Sequence, residues 1–178
     1  SLLGIVSRIE SQKGFGLVKH LIKRLPKLGA QCLVTGVGDQ RYELPLQRLA
    51  KQFPHHFVFH NSFDLSLSQQ IYGGADIFLM PSLYEPCGLA QLIAMRYGCV
   101  PIVRAVGGLK DTVKSGYNGF TFQAYSGQAL VRTVRNALTI YRNNPTVWNK
   151  FMHQGMTENY SWQRSAEAYA QLYRQLLS

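Results

Sequence analysis

Apolar and polar positions follow two rhythms along this chain. Short aliphatic runs recur, and between them lie stretches with apolar residues three and four apart. Leu2–Val6, LLGIV, reads as a buried strand. Residues 15–25 then place Leu17, Val18, Leu21, Ile22 and Leu25 on one face and Lys19, Lys23 and Arg24 on the other. That is an amphipathic helix, bounded by Pro26 and Gly29. Gln31–Thr35 is a second strand, closing on Gly36-Val37-Gly38-Asp39, a tight strand-to-helix turn. Residues 41–53 read as a helix with Leu44, Leu46, Leu49 and Phe53 apolar, and Pro45 predicts an irregular start. Phe57–His60 is the third strand, and residues 65–72 form a short helix ended by Gly73-Gly74.

The stretch 75–112, ADIFLMPSLYEPCGLAQLIAMRYGCVPIVRAVGGLKDT, runs through the rhythm twice in close succession. A strand over 76–80 meets a proline-punctuated turn, Pro81-Ser82-Leu83-Tyr84-Glu85-Pro86. A helix is expected over 88–97, with Leu89, Leu92, Ile93, Arg96 and Tyr97 at helical spacing. A strand over 100–103 leads into Gly107-Gly108 and another helix start. After a turn at 116–119 come a short strand, Phe120–Phe122, and three helices over 126–141, 146–156 and 162–177. Trp148 and Trp162 fall in amphipathic patterns and are expected to pack. Strands alternating with helices predict an α/β fold: a parallel sheet with helices on both faces, a Rossmann-like three-layer α/β/α arrangement. No repeat, low-complexity tract or linker interrupts it, so one domain over 1–178 is expected. Folds of this kind bind ligands in the loops that follow the strands.

Composition narrows the class. Hydrophobic residues make up 46%, which fits a globular chain. No apolar run has the length of a membrane span. The chain begins inside a strand pattern, without the pattern of a signal peptide, and reads as a piece of something longer. Cys32, Cys87 and Cys99 lack metal-ligand spacing, and their odd number suits a reducing compartment. His20, His55, His56, His60 and His153 form no HExxH or Cys/His cluster, so no metal site is expected. The net charge of +10, from 19 basic and 9 acidic residues, has three readings. It suits nucleic acid, an anionic substrate, or an acidic partner domain. The early cluster Arg8, Lys13, Lys19, Lys23, Arg24 and Lys27 keeps nucleic acid open. Against it, no nucleic-acid module is present and the aromatics fall in strand and helix patterns.

The richest chemistry lies in the loop at 85–89. Pro86 has no N–H to donate and suits a helix start. Gly88 admits a ligand close to the main chain. The N–H groups of Cys87, Gly88 and Leu89 are expected to face an anion at the start of that helix. Glu85 lies just outside; there a carboxylate either holds sugar hydroxyls and offsets developing positive charge, or caps the helix. Phe63, after the third strand, is either a flat stacking surface or a core residue.

The segment PSLYEPCGLAQLIAMRYGCVPIVRAVGGLKDTV resembles the donor site of glycogen and starch synthases, retaining GT-B glycosyltransferases that use ADP-glucose. The resemblance runs over the whole chain. The late stretches NGFTF, QAL, YRNNPTVWNKFMHQGM and YSWQRSAEAY are most similar to the soluble starch synthase III/IV branch. It implies the C-terminal, donor-binding half of a GT-B fold, acting on ADP-glucose and an α-1,4-glucan with no further cofactor. Arg8 and Lys13 match the family's S-R-x-x-x-Q-K-G loop, which holds the donor diphosphate; there two cations offset the charge of the leaving group. Phe63 matches the residue that stacks on adenine. Glu85 matches the contact to the transferred glucose, and the Gly107-Gly108 loop borders the donor phosphates and sugar. The family's N-terminal domain, with most of the acceptor groove, is not in this sequence, and the closing helix is expected to cross back to it. The implied setting is a bacterial cytoplasm or a plastid stroma, with neither nucleic acid nor membrane as partner. Two positions depart from common relatives: Ala90 stands where many carry Thr, and Ile93 where many retaining GT-B enzymes carry a second glutamate.

Overall fold

The structure is a computed structural model and describes residues 1–177. Six strands form one sheet: β1 (Leu2–Val6), β2 (Gln31–Thr35), β3 (Phe57–His60), β4 (Ile77–Met80), β5 (Val100–Arg104) and β6 (Phe120–Phe122). Nine helices are described: α1 (Phe15–Ile22), α2 (Leu25–Leu28), α3 (Gln40–Gln52), α4 (Leu65–Gly74), α5 (Ala90–Arg96), α6 (Gly107–Thr112), α7 (Gly127–Asn143), α8 (Pro145–Thr157) and α9 (Trp162–Leu177). The spatial order is β3-β2-β1-β4-β5-β6, and every pairing is parallel.

The sheet is covered on both faces because each strand alternates. Leu3 and Ile5 of β1, Ile77 and Leu79 of β4, and Val100 and Ile102 of β5 join α1, α2, α3, α7 and α8 in one core. Their neighbours Phe78, Met80 and Val103 join Ile71, Ala94 and Leu109 of α4, α5 and α6 in a second. Period-2 strands carrying apolar residues on both sides have no water-facing surface, which is why they read as unbroken apolar runs. All six expected strands form, within a residue of their expected ends.

The helices differ from expectation in local ways, each with a cause. The helix expected over 15–25 stops at Ile22, and α2 begins at Leu25. Pro26 has no N–H for the Ile22 carbonyl, so the chain restarts with the proline in a first turn, where none is needed. Pro45 lies inside α3 rather than at an irregular start, because Asp39 caps the helix further upstream, accepting from the Arg41 N–H at 2.8 Å. α4 runs two residues past its expected end and stops at Gly74, with neither Gly73 nor Gly74 at positive φ. Trp148 packs as expected, at 4% exposure. Trp162 does not: it is 88% exposed, and α9 buries none of its described residues. Its exposed Tyr169, Leu172, Tyr173 and Leu176 repeat at helical spacing, an apolar stripe that packs against no core among the described residues.

Candidate functional site

Strand order reverses between β1 and β4: the chain steps outward from β1 to β2 and β3, then returns to β4. Loops leaving the carboxyl ends of neighbouring strands part at such a switch point and open a crevice. The β1–α1 loop carries Arg8 and Lys13 to it, and the β4–α5 loop carries Glu85.

The β1–α1 loop is stitched in place from both sides. Ile9 donates its N–H to the Val37 carbonyl at 2.9 Å and accepts from the Asp39 N–H at 2.6 Å, anchoring it to the turn after β2. A 3-10 turn, Ser11–Lys13, then closes on Gly14 at φ 77. Its Gln12 accepts from the Leu83 N–H at 2.7 Å and donates its side chain to the Tyr84 carbonyl at 3.2 Å. Two segments about seventy residues apart in sequence therefore run side by side, and their functional side chains meet. Lys13 Nζ lies 2.6 Å from Glu85 Oε2, with the side chains only 16% and 9% exposed. Ser82 Oγ donates to the same carboxylate oxygen at 3.3 Å. Glu85 thus faces Lys13 within the crevice and does not cap α5, whose N-cap residue is Leu89.

The loops after β4 and β5 meet backbone to backbone. Gly108 donates its N–H to the Glu85 carbonyl at 3.1 Å. A Cβ on Gly107 would run into that carbonyl oxygen, and one on Gly108 into the Cys87 carbonyl oxygen. Only glycine permits this approach, and Gly107 also sits at φ +45. Gln91, fully buried, ties the loops again: its Nε2 donates to the Gly88 carbonyl at 2.8 Å and to Thr112 Oγ1 at 3.1 Å.

The structure bears on three of the expected site features. Arg8 is not brought to Lys13 by any described contact: its guanidinium lies 3.0 Å from Glu10 Oε1, and its side chain is 71% exposed. That oxygen has no hydrogen-bond partner, so the approach is side-on. Exposed pairs of this kind contribute little, about 0–1 kcal/mol, and Arg8 is free to turn toward a ligand. Secondly, α5 starts at Ala90, not Gly88, because Gly88 takes φ +78 and breaks the helical path. The Cys87, Gly88 and Leu89 amides therefore belong to the loop before the helix; among the described residues none is engaged in a hydrogen bond. Thirdly, Phe63 is not core: at 75% exposure its ring stands open beyond the end of β3. Cys87, Leu89 and Gly107 are exposed, and Gly88 and Gly108 half-buried.

Sequence reasoning passed over Gln12, Ser82, Gln91, Thr112 and Arg104. Arg104, at the end of β5, donates from Nη1 to the Leu83 carbonyl at 2.6 Å and from Nε to the Gln123 carbonyl at 3.0 Å, over the ring of Tyr125. It pins the loop that carries Glu85. A lone cation at a strand's carboxyl end was the one available signal; the others are common polar residues whose roles depend on how the loops come together. Arg104→Ala is expected to leave the fold intact and to raise the amide hydrogen exchange of residues 82–85 at least tenfold; unchanged exchange there would remove the pinning role.

The cysteines divide by burial. Cys32 and Cys99 are buried, and burial pushes the Cys32 thiol up to about 12 and Cys99 higher still. Cys87 is exposed in the Glu85 loop. Since the thiolate is the nucleophile, iodoacetamide at neutral pH is expected to alkylate Cys87 alone, checked by peptide mass mapping. Among the described residues no group of three or more His, Cys, Asp or Glu side chains is placed to hold a metal ion. No described helix is long and apolar enough to cross a membrane.

A parallel sheet in this order, with glycine-rich and charged loops converging at its switch point, defines a Rossmann-like α/β domain, a class that places its ligand sites in such a crevice. The chain belongs to the glycosyl transferases group 1 family, whose model matches residues 1–151. Within it, the chain is similar over 99% of its length to glycogen synthases: 42% identical to that of Bacillus cereus (strain Q1) and 45% to that of Streptococcus equi subsp. zooepidemicus (strain H70). It spans 38% of the length of each. Among solved structures it matches the catalytic domain of Arabidopsis thaliana starch synthase IV bound to ADP and acarbose, with TM-score 0.88 and 34% identity over 98% of this chain and 38% of that one. Sucrose-phosphate synthase from Thermosynechococcus elongatus shares the fold, with TM-score 0.73 at 24% identity over 99% of this chain and 45% of that one. The architecture is the C-terminal half of a GT-B glycosyltransferase, as the sequence led one to expect.

Proposed function

We propose that this chain is the donor half of a glycogen or starch synthase. It binds ADP-glucose for transfer of glucose, with retained α configuration, to the non-reducing end of an α-1,4-glucan. The observation that carries this reading is the meeting of Lys13 and Glu85 in the crevice at the switch point. A cation and a carboxylate held there suit the two ends of a sugar diphosphate. In transfer, the bond from the anomeric carbon to the diphosphate oxygen breaks, and the acceptor 4-hydroxyl forms the new bond to that carbon as it gives its proton to an oxygen of the departing diphosphate. Negative charge grows on the departing ADP. Lys13 has three N–H donors, one of them directed at Glu85, and Arg8 is mobile enough to join it on the phosphates. The free amides of Cys87, Gly88 and Leu89 and the Gly107-Gly108 loop line the anion's path. Glu85, anchored by Ser82 and Lys13, faces the glucose. Phe63 offers its open ring to adenine. The transfer uses no cofactor beyond the nucleotide sugar. The acceptor groove belongs to an N-terminal GT-B domain outside this chain, and the apolar stripe of α9 suits docking against it. The expected setting is a bacterial cytoplasm or a plastid stroma.

Calorimetric titration with ADP, ADP-glucose and UDP tests the reading. ADP and ADP-glucose are expected to bind and UDP to bind more weakly. Charged hydrogen bonds contribute about 1.5–3 kcal/mol each, so the double variant Arg8→Ala/Lys13→Ala is expected to lose tenfold or more in ADP affinity. Unchanged ADP affinity in that variant, folded by circular dichroism, would remove the assignment; preference for UDP would move the chain to another donor class. Phe63→Ala is expected to cost about 1–3 kcal/mol of ADP affinity, by analogy with base–aromatic stacking, and Phe63→Tyr almost nothing.

A further inference from the structure

The basic charge of this chain is not spread evenly. No Asp or Glu occurs between residues 11 and 38 or between 112 and 157, although each stretch carries five Lys or Arg. The fold lays these two acid-free stretches against each other, with α1 and α2 from the first packed beside α7 from the second. The seam between them is open as a groove of about 290 Å³, walled by His20, Arg24 and Lys27 on one side and Arg132 and Arg135 on the other. Its apolar floor includes Leu28 and Val131. The His20 ring packs on Gly127 at one end, and Arg142 closes the other by donating to the Leu28 and Gly29 carbonyls at 2.7 and 2.8 Å.

Among the described residues no carboxylate pairs with a cation of this groove. The ion pairs among the described residues are Arg8–Glu10, Lys13–Glu85 and Arg41–Asp39, and none involves a groove residue. Like charges converging on one concavity repel, and a basic wall against a low-dielectric floor concentrates that field. A bound anion relieves it. Arg132 and Arg135 stand three apart on one face of α7, opposite Arg24. Planar guanidinium forks suit the tetrahedral, multiply charged phosphate group. The size is at the low end for a small-molecule pocket, about 300–1,000 Å³, which fits a sugar phosphate. None of Arg8, Lys13, Glu85 or Phe63 lines the groove.

We propose that the α1–α2/α7 groove is a second ligand site, separate from the crevice, that binds a phosphate monoester. The ester is carried either by a free sugar or by a glucan chain; only the second source rests on the function proposed above.

Calorimetry on the chain, with saturating ADP and again without it, tests this with three probes: ribose 5-phosphate, maltoheptaose bearing a 6-phosphate, and plain maltoheptaose. At least one phosphorylated probe is expected to bind, weakening as salt rises, while plain maltoheptaose gives no heat that depends on the groove arginines. Arg132→Gln/Arg135→Gln is expected to lower phosphate-ester affinity at least tenfold, leaving the melting temperature and ADP affinity unchanged, and Arg132→Lys/Arg135→Lys to retain most of it. Lys13→Ala is expected to lower ADP affinity and to leave phosphate-ester affinity unchanged at a temperature where the variant is folded. The tighter of the two esters identifies the source. Equal ester affinity in the Gln variant and the parent chain, or no ester binding at millimolar concentration, overturns the proposal. So does tighter binding of a single-stranded oligonucleotide that the Gln variant loses, which would make the face a nucleic-acid surface. Absence of ADP binding would count against the donor reading alone, since the ester titrations without ADP stand by themselves.

Discussion

The 178-residue chain is expected to bind ADP and yet to leave glucan chains unelongated. Binding and transfer make different demands. The groups proposed to hold the nucleotide all hang from the carboxyl edge of one sheet, whose two cores are complete within the described residues. Transfer in addition needs an acceptor hydroxyl held against the anomeric carbon and water kept away from it. Positioning of that kind accounts for roughly 7–11 kcal/mol of a barrier, so its loss lowers the rate by many orders of magnitude. Exposed Leu83, Tyr84, Leu89 and Phe63 mark the rim of the crevice as a surface open on one side. The assay is incorporation of glucose from ADP-glucose into maltooligosaccharide by the chain, beside a full-length relative. Robust incorporation by the chain would place the acceptor site within it and end the half-enzyme reading.

Lys13→Ala is expected to reach both stability and binding, with the larger effect on stability. It removes the partner of a carboxylate that is 9% exposed, leaving that charge desolvated. Breaking one side of a buried pair typically costs about 3–5 kcal/mol, much of it the penalty on the orphaned partner. Lys13→Ala/Glu85→Ala removes both charges and is expected to be less destabilised than the sum of the single variants. The interaction term in such a cycle is expected at about 1–3 kcal/mol, read from urea unfolding. Single losses that add within about 0.5 kcal/mol would show the two side chains to be uncoupled. Glu85→Gln, which keeps the shape without the charge, is expected to bind ADP nearly as well as the parent chain and ADP-glucose less well.

The strands were legible because their signal is local: Ile77 to Met80 are buried on both faces, and such a run needs no knowledge of its neighbours. The helix ends were less so. Whether Pro26 ends a helix or opens the next one depends on where its neighbours' hydrogen bonds go. For the site, Lys13 and Glu85 were each singled out, but their contact was not, since pairing across β1 and β4 is a property of strand order rather than of either loop. Trp162 shows the opposite failure. Its amphipathic pattern is real, but a pattern states only that a face wants a partner, not that the partner lies in the same chain. Arg104 acts through backbone carbonyls, which every residue carries, and Gln91 through the Gly88 carbonyl and the Thr112 hydroxyl, so no residue type announces the partner.

The meeting of the Glu85 and Gly108 backbones bears on how the crevice can move. Two loops joined through carbonyls and glycines, and tied a second time by the fully buried Gln91 side chain, have no soft joint between them. Closure over a nucleotide would then carry both as one rigid plate, hinged where the chain leaves β4 and β5. The Gly108 amide, bonded to the Glu85 carbonyl, is the built-in reporter of that plate. While the plate holds, this proton exchanges with solvent only as fast as the two loops part from each other, so slow exchange that does not change on adding a nucleotide would show the plate moving as one body.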